Sequence, residues 1–242
     1  MDEVEPFVLQ TYHVLDLIGV VLNGIIGGTI ARQRGFDIVG FLFLALFSAL
    51  GGGMIRDTLI QQGAPAAISD WRYLTLAFVG ALIAALTRLE NKAWEFVKAH
   101  GDAIILGVWA VTGATKALNY DLPILSVIFM GVLTAAGGGM LRDIACAQIP
   151  SVFGGNTLYV VPSVIASLSM ALFHYGSQPV LGMIISPLAG YLLALVSYYR
   201  GWVIPTQDEF APVNRAAHKV ARHIPKARGI SRRWEGKRED PR

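Results

Sequence analysis

Seven stretches of the chain are almost continuously apolar over the roughly 20 residues that a helix needs to cross the hydrocarbon core of a bilayer. They fall at 8–31, 38–60, 71–89, 101–119, 123–146, 157–175 and 179–199, with polar residues collected between them. The pattern predicts an all-α integral membrane protein of seven transmembrane helices. Pro123 and Pro179 open the fifth and seventh stretches, where a first-turn proline is tolerated. Pro162 and Pro187 lie inside the sixth and seventh, where kinks are expected. Residues 201–242 contain no spanning stretch. Within them Val213, Ala216, Ala217, Val220 and Ile224 recur at helical spacing beside Arg215, Lys219 and Arg222. That spacing fits either a short basic amphipathic helix resting on anionic lipid or a solvated tail.

The same pattern occurs twice. Gly51-Gly52-Gly53-Met54-Ile55-Arg56-Asp57 returns as Gly137-Gly138-Gly139-Met140-Leu141-Arg142-Asp143, an offset of 86 residues. At that offset Asp16 meets Asp102, Gly27 meets Gly113, Thr29 meets Thr115, Ala31 meets Ala117 and Tyr73 meets Tyr159. The expected organisation is a three-helix repeat over 8–89, a second over 101–175, a seventh helix over 179–199 and a basic cytoplasmic tail over 201–242. An odd number of spans per repeat forces the second copy into the membrane upside down, the inverted-repeat architecture.

Charge adds an orientation. Of the 20 Lys and Arg residues, 11 lie from Arg200 onward, and Arg32, Arg34, Arg88, Lys92, Lys98 and Arg142 fall on the same side if the acidic N-terminus is outside. Because Lys and Arg mark cytoplasmic loops, the N-terminus is expected outside and the C-terminus inside. The opening Met1-Asp2-Glu3-Val4-Glu5 has neither a positive n-region nor a small-residue cleavage site, so the first span is expected to direct insertion itself. Composition agrees with a membrane protein: 54% of residues are hydrophobic and 15% charged, with a mean hydropathy of +0.51. Soluble chains average about 25% charged residues. The single cysteine, Cys146, forms no internal disulfide, and the five histidines lack metal-ligand spacing. Neither a nucleophile elbow nor a phosphate-binding loop is present, so no enzyme, no cofactor and no nucleic-acid partner is expected.

The candidate chemistry lies in the two glycine runs and the charges after them. Three glycines in a helix interior each cost about 1 kcal/mol relative to alanine, which marks a place where a helix bends, unwinds or is closely approached. One reading is a small-residue contact between helices. The other is a break in the second and fifth segments, whose freed carbonyls replace a cation's hydration shell. The intramembrane charges Asp16, Arg56, Asp57, Asp102, Lys116, Arg142 and Asp143 are likewise either structural pairs or gating charges and proton relays. Adjacent helical residues do not face each other. The matched depths therefore suggest that Asp16 neutralises Arg56 and Asp102 neutralises Arg142, while Lys116, replaced by Ile30 in the first repeat, snorkels or stands at a pore mouth.

Duplicated Gly-Gly-Gly-Met-x-Arg-Asp runs, three-helix repeats and a seventh helix resemble the bacterial branch of the trimeric intracellular cation (TRIC) channels, also catalogued as glycine-transporter-domain membrane proteins. The resemblance covers about residues 8–200. It implies a homotrimer in the bacterial inner (plasma) membrane with a pore in each protomer, lined by the second and fifth helices kinked at Gly51, Gly52, Gly53, Gly137, Gly138 and Gly139, through which potassium permeates without any cofactor. The lysine-rich motif of the animal members is absent from the fourth helix beyond Lys116. The alternative that the family's other name suggests, and that inverted repeats would also suit, is a secondary transporter for glycine or a similar small zwitterion.

The topology is tested by labelling a thiol at Glu3→Cys, in a Cys146→Ala background, with a membrane-impermeant maleimide. Reaction from the outside is expected; reaction only from the cytoplasmic side would overturn the assigned orientation.

Overall fold

The computed structural model describes residues 4–89, 91–153 and 158–203. Residues 205–242, a separate unit of the chain, lie outside the described residues, as does the amphipathic segment expected there. The helices are α1 (Val4–Gln33), α2 (Ile38–Ile60), α3 (Ala66–Ser69), α4 (Trp71–Leu86), α5 (Lys92–Leu118), α6 (Ile124–Ala145), α7 (Val160–Tyr175) and α8 (Pro179–Arg200). All but the single turn α3 fall on the seven apolar stretches.

Their ends follow from capping chemistry. Asp37 and Asp70 accept hydrogen bonds from Gly40 N–H and Arg72 N–H at the starts of α2 and α4. At α5 the apolar stretch is a poor guide. Asn91 caps Trp94 N–H, and the Glu95–Lys98 pair at 2.7 Å supports two polar turns, so the helix begins nine residues before the stretch does. Pro162 is the third residue of α7, where its missing N–H costs no helical bond, and the kink expected there is not required. Pro187 is interior to α8.

Length and polarity separate these helices. α2, α6, α8 and most of α1 (Pro6–Gln33) are long and apolar enough to cross a membrane. α4 and α7 have 16 residues each. That is about 24 Å of helix against a hydrocarbon core of about 30 Å. α5 is long enough but carries Lys92, Glu95, Lys98 and Asp102 in its first half.

The helices associate in two triplets. α1 packs on α2 and α4, which also touch each other; α5 packs on α6 and α7, which do the same. The triplets join where α2 meets α6, and α8 covers α5 and α7. Val20, Leu44, Leu106, Val111, Val127 and Met170 fill the interior.

At the α2–α6 junction the glycines explain the spacing. A Cβ at Gly52 would lie 2.3 Å from the Thr134 carbonyl oxygen, and one at Gly138 would lie 2.4 Å from that of Ser48. A Cβ at Gly137 would lie 2.9 Å from Gly52 Cα. No side chain fits, so the two backbones touch. Ser48 and Thr134 themselves differ by the 86-residue offset, making the contact reciprocal. Gly52 meets Thr134 while Ser48 meets Gly138, so α2 and α6 run antiparallel, and Arg56 and Arg142 lie on opposite sides of the crossing. Both helices continue without interruption through their glycine runs. The break with freed carbonyls is therefore not the state of this structure: the missing side chains serve close approach, and the flanking apolar turns keep the helix wound.

Gly53 and Gly139 differ from their neighbours, since the nearest atom to a Cβ there is an arginine Nη2 at 3.8 and 3.6 Å. Thermal denaturation should separate the two classes. Gly52→Ala and Gly138→Ala should each cost about 1–3 kcal/mol by overpacking. Gly53→Ala and Gly139→Ala should be neutral or stabilising by up to about 1 kcal/mol. Equal losses at all four positions would argue against the crossing.

Candidate functional site: two cavities flanking the glycine crossing

Beyond the glycines, the end of α2 brings Arg56 and Asp57 into the interior, where they are 7% and 3% exposed. Asp57 Oδ1 accepts from Arg56 Nε at 2.6 Å and from Lys116 Nζ at 2.7 Å, and Oδ2 accepts from Ala66 N–H at 3.0 Å. One carboxylate thus bridges two cations and fixes the start of α3, and Asp16 on the same cavity supplies the second negative charge. In the second triplet Asp143 Oδ1 accepts from Arg142 Nε and Nη2 at 3.0 and 2.8 Å, and Oδ2 accepts from Ser151 N–H at 3.0 Å. Ile30 stands where Lys116 would, so Asp143 has no second cation among the described residues.

These contacts correct the expected pairing. Arg56 and Arg142 each bind the aspartate next to them in sequence rather than Asp16 and Asp102. The rule that adjacent helical side chains diverge holds for their Cβ atoms, but the long arginine stem folds back far enough for Nε to reach its neighbour. The first-helix aspartates are engaged elsewhere. Asp16 accepts from Tyr73 Oη and, at 2.7 Å, from Trp109 Nε1. Asp102 accepts from Tyr159 Oη at 3.3 Å. Both Asp–Tyr pairs span 57 residues, so the repeat register already held the signal: each tyrosine recurs at a constant distance from its aspartate. Trp109 carries no such signal, because its counterpart is Asn23.

Each charge cluster borders a cavity. The first is lined by Asp16, Ala49, Leu50, Gly53, Arg56, Asp57, Tyr73, Trp109 and Thr134 and holds about 30 Å³. The second is lined by Asn23, Asp102, Leu106, Ala135, Ala136, Gly139, Arg142, Tyr159 and residues around them, and holds about 390 Å³. Most of these linings correspond position by position at the 86-residue offset. The six candidate glycines therefore divide. Gly53 and Gly139 line the cavities, and Gly51, Gly52, Gly137 and Gly138 pack the crossing between them. Of the candidate charges, Asp16, Arg56 and Asp57 border the first cavity, Asp102 and Arg142 the second, and Lys116 reaches Asp57 from α5. Asp143, held against Arg142, completes the second cluster. No group of three or more His, Cys, Asp or Glu side chains able to share a metal ion occurs among the described residues.

Buried intramembrane charges beside paired cavities mark a candidate ion or substrate pathway. A family model described as glycine transporter matches the chain twice, over residues 13–88 and 100–175. The chain belongs to this family, which includes the TRIC channels. A relative from Deinococcus radiodurans, named as a UPF0126 membrane protein, is 36% identical over 58% of this chain and 65% of its own length. The chain thus spans just under two thirds of that relative. Among solved structures, a TRIC cation channel superposes with a TM-score of 0.75 at 28% identity, covering 81% of this chain and 96% of that one. The TRIC trimeric intracellular cation channel orthologue from Rhodobacter sphaeroides gives 0.70 at 25% identity, over 79% and 99%. This member of the glycine transporter family is an all-helical membrane protein of the TRIC fold.

Its buried charge network is tested by a double-mutant cycle on thermal stability. Asp57→Ala leaves Arg56 and Lys116 uncompensated and should cost about 3–5 kcal/mol. Combining it with Lys116→Met should recover part of that loss, with a coupling of about 0.5–3 kcal/mol. Strict additivity would contradict the pair.

Proposed function

We propose that the protein is a potassium-permeable monovalent-cation channel, assembled as a homotrimer in the bacterial plasma membrane, with a path through each protomer. The path runs from one cavity to the other across the α2–α6 glycine crossing. The carrying observation is the reciprocal geometry: two cavities with matched linings meet a crossing held by backbone contact at Gly52 and Gly138. That contact leaves no room for an ion, so conduction requires α2 and α6 to bend or part at the glycine runs, where helix is cheapest to distort. In this reading the spans number seven, in two inverted three-helix repeats plus α8, with the N-terminus outside.

Electrostatics supports a cation. Asp102, Arg142, Glu95 and Lys98 line the second cavity; Asp143, outside that lining, pairs with Arg142, and Glu95 pairs with Lys98, which leaves Asp102 as one formal negative charge. A cleft of one sign in low-dielectric walls concentrates counter-ions. Likeness to TRIC cation channels supports the same choice over a carrier for glycine.

Purified full-length protein in planar bilayers tests the proposal. Unitary potassium currents larger than those for chloride are expected. Saturable exchange of glycine without unitary steps would replace the channel by a carrier.

A further inference from the structure

The two cavities share a scaffold but differ in volume by an order of magnitude, about 30 against 390 Å³. At matched lining positions, Val20 against Leu106 favours a larger first cavity, whereas Leu50 against Ala136 favours a larger second. The greatest difference is an indole against a carboxamide, Trp109 against Asn23. Trp109 comes from α5, reaches across to α1 and is fixed there by its Nε1–H bond to Asp16 at 2.7 Å. Gly19 makes the space, since a Cβ there would come within 3.0 and 3.1 Å of two ring carbons. Asn23 does the reverse, turning back to donate to the Gly19 carbonyl of its own helix at 3.2 Å, so that among the described residues Tyr159 alone donates to Asp102.

We infer that Trp109 is a built-in plug that narrows the first half of the transport path, so that once the α2–α6 crossing has parted this half, and not the Asp102 half, limits permeation. The inference rests on the channel reading, but the plug itself can be tested without it. Trp109 acts through its bulk, with Asp16 as the group that holds the ring in the path. The repeat supplies the natural exchange: Trp109→Asn should give the first cavity the second's dimensions, and Asn23→Trp should do the opposite.

Thiol accessibility reads the plug directly. In a Cys146→Ala background, Ala49→Cys and Ala135→Cys place matched thiols in the two cavities. A small cationic methanethiosulfonate should modify Ala135→Cys readily and Ala49→Cys slowly, and adding Trp109→Asn should accelerate Ala49→Cys about tenfold, in line with the volumes. Unitary potassium conductance should rise about twofold or more in Trp109→Asn and fall in Asn23→Trp, as a change in pore diameter requires. Trp109→Phe, which keeps a ring but removes the N–H, should stay closer to wild type than to Trp109→Asn. Equal modification of both thiols in the parent, or an Ala49→Cys rate untouched by Trp109→Asn, would overturn the plug. Should Trp109→Asn fail to assemble, unchanged conductance in Asn23→Trp would overturn it instead. A parent that conducts no potassium but shows the expected thiol rates would overturn the channel reading and leave the plug standing.

Discussion

Where α2 and α6 cross, two backbones meet with no side chain between them, and the placement of both charge clusters and both cavities follows from that contact. Each helix contributes a glycine that faces the carbonyl of a hydroxyl residue on the other, Gly52 to Thr134 and Gly138 to Ser48. Without a hydrophobic drive between helices in lipid, such close approach gathers the dispersion contacts that association needs. It also sets distances. Because the contact is antiparallel and reciprocal, the Arg-Asp pair four residues beyond each glycine lands beside its own cavity, on the far side of the crossing from the other pair. A side chain at Gly52 would have to push α6 away by more than an ångström, loosening the α1–α2–α4 triplet from the α5–α6–α7 triplet.

The buried charges are arranged to survive with little water. Each dipeptide aspartate accepts from its neighbouring arginine and from a backbone N–H of the following segment, Ala66 in one case and Ser151 in the other. The carboxylate thereby satisfies a backbone donor near the end of its helix while being neutralised itself. The symmetry of the backbone does not extend to every side chain. Lys116 supplies a second cation where Asp57 and Asp16 supply two carboxylates, and Ile30 supplies none beside Asp143 and Asp102, so the first set of charges balances and the second keeps one formal negative charge. Trp109 and Asn23 divide the cavities by size in the same way. Duplication has produced a two-fold scaffold, and substitution at a few lining positions has made the two halves electrically and sterically unequal.

Much of this was legible along the chain. Hydropathy located the helices because burial in lipid is a property of each segment alone, and the 86-residue offset exposed the repeat because both copies keep glycine, arginine and aspartate in the same order. It also matched Tyr73 with Tyr159 and Asp16 with Asp102 without showing that each tyrosine donates to its aspartate. α3 escaped notice, being a single turn held by the Asp57 carboxylate rather than by a periodic apolar face. The first turns of α5 escaped for a related reason, since their stability comes from Asn91 and an exposed ion pair.

The membrane class, the positions of the helices, the duplication and the set of residues whose burial demands an explanation are all readable along the chain. These depend on composition, local periodicity and spacing, which a single chain displays in full. The partners emerge from helix packing: Arg56 takes Asp57 and leaves Asp16 to Tyr73 and Trp109, four glycines pack while two line cavities, and Lys116 crosses from α5 to α2. Long side chains such as arginine and lysine reach several ångströms in many directions, and helices meet at angles that a one-dimensional pattern does not contain. Which donor finds which acceptor is therefore settled only when the helices have packed and the remaining space is known.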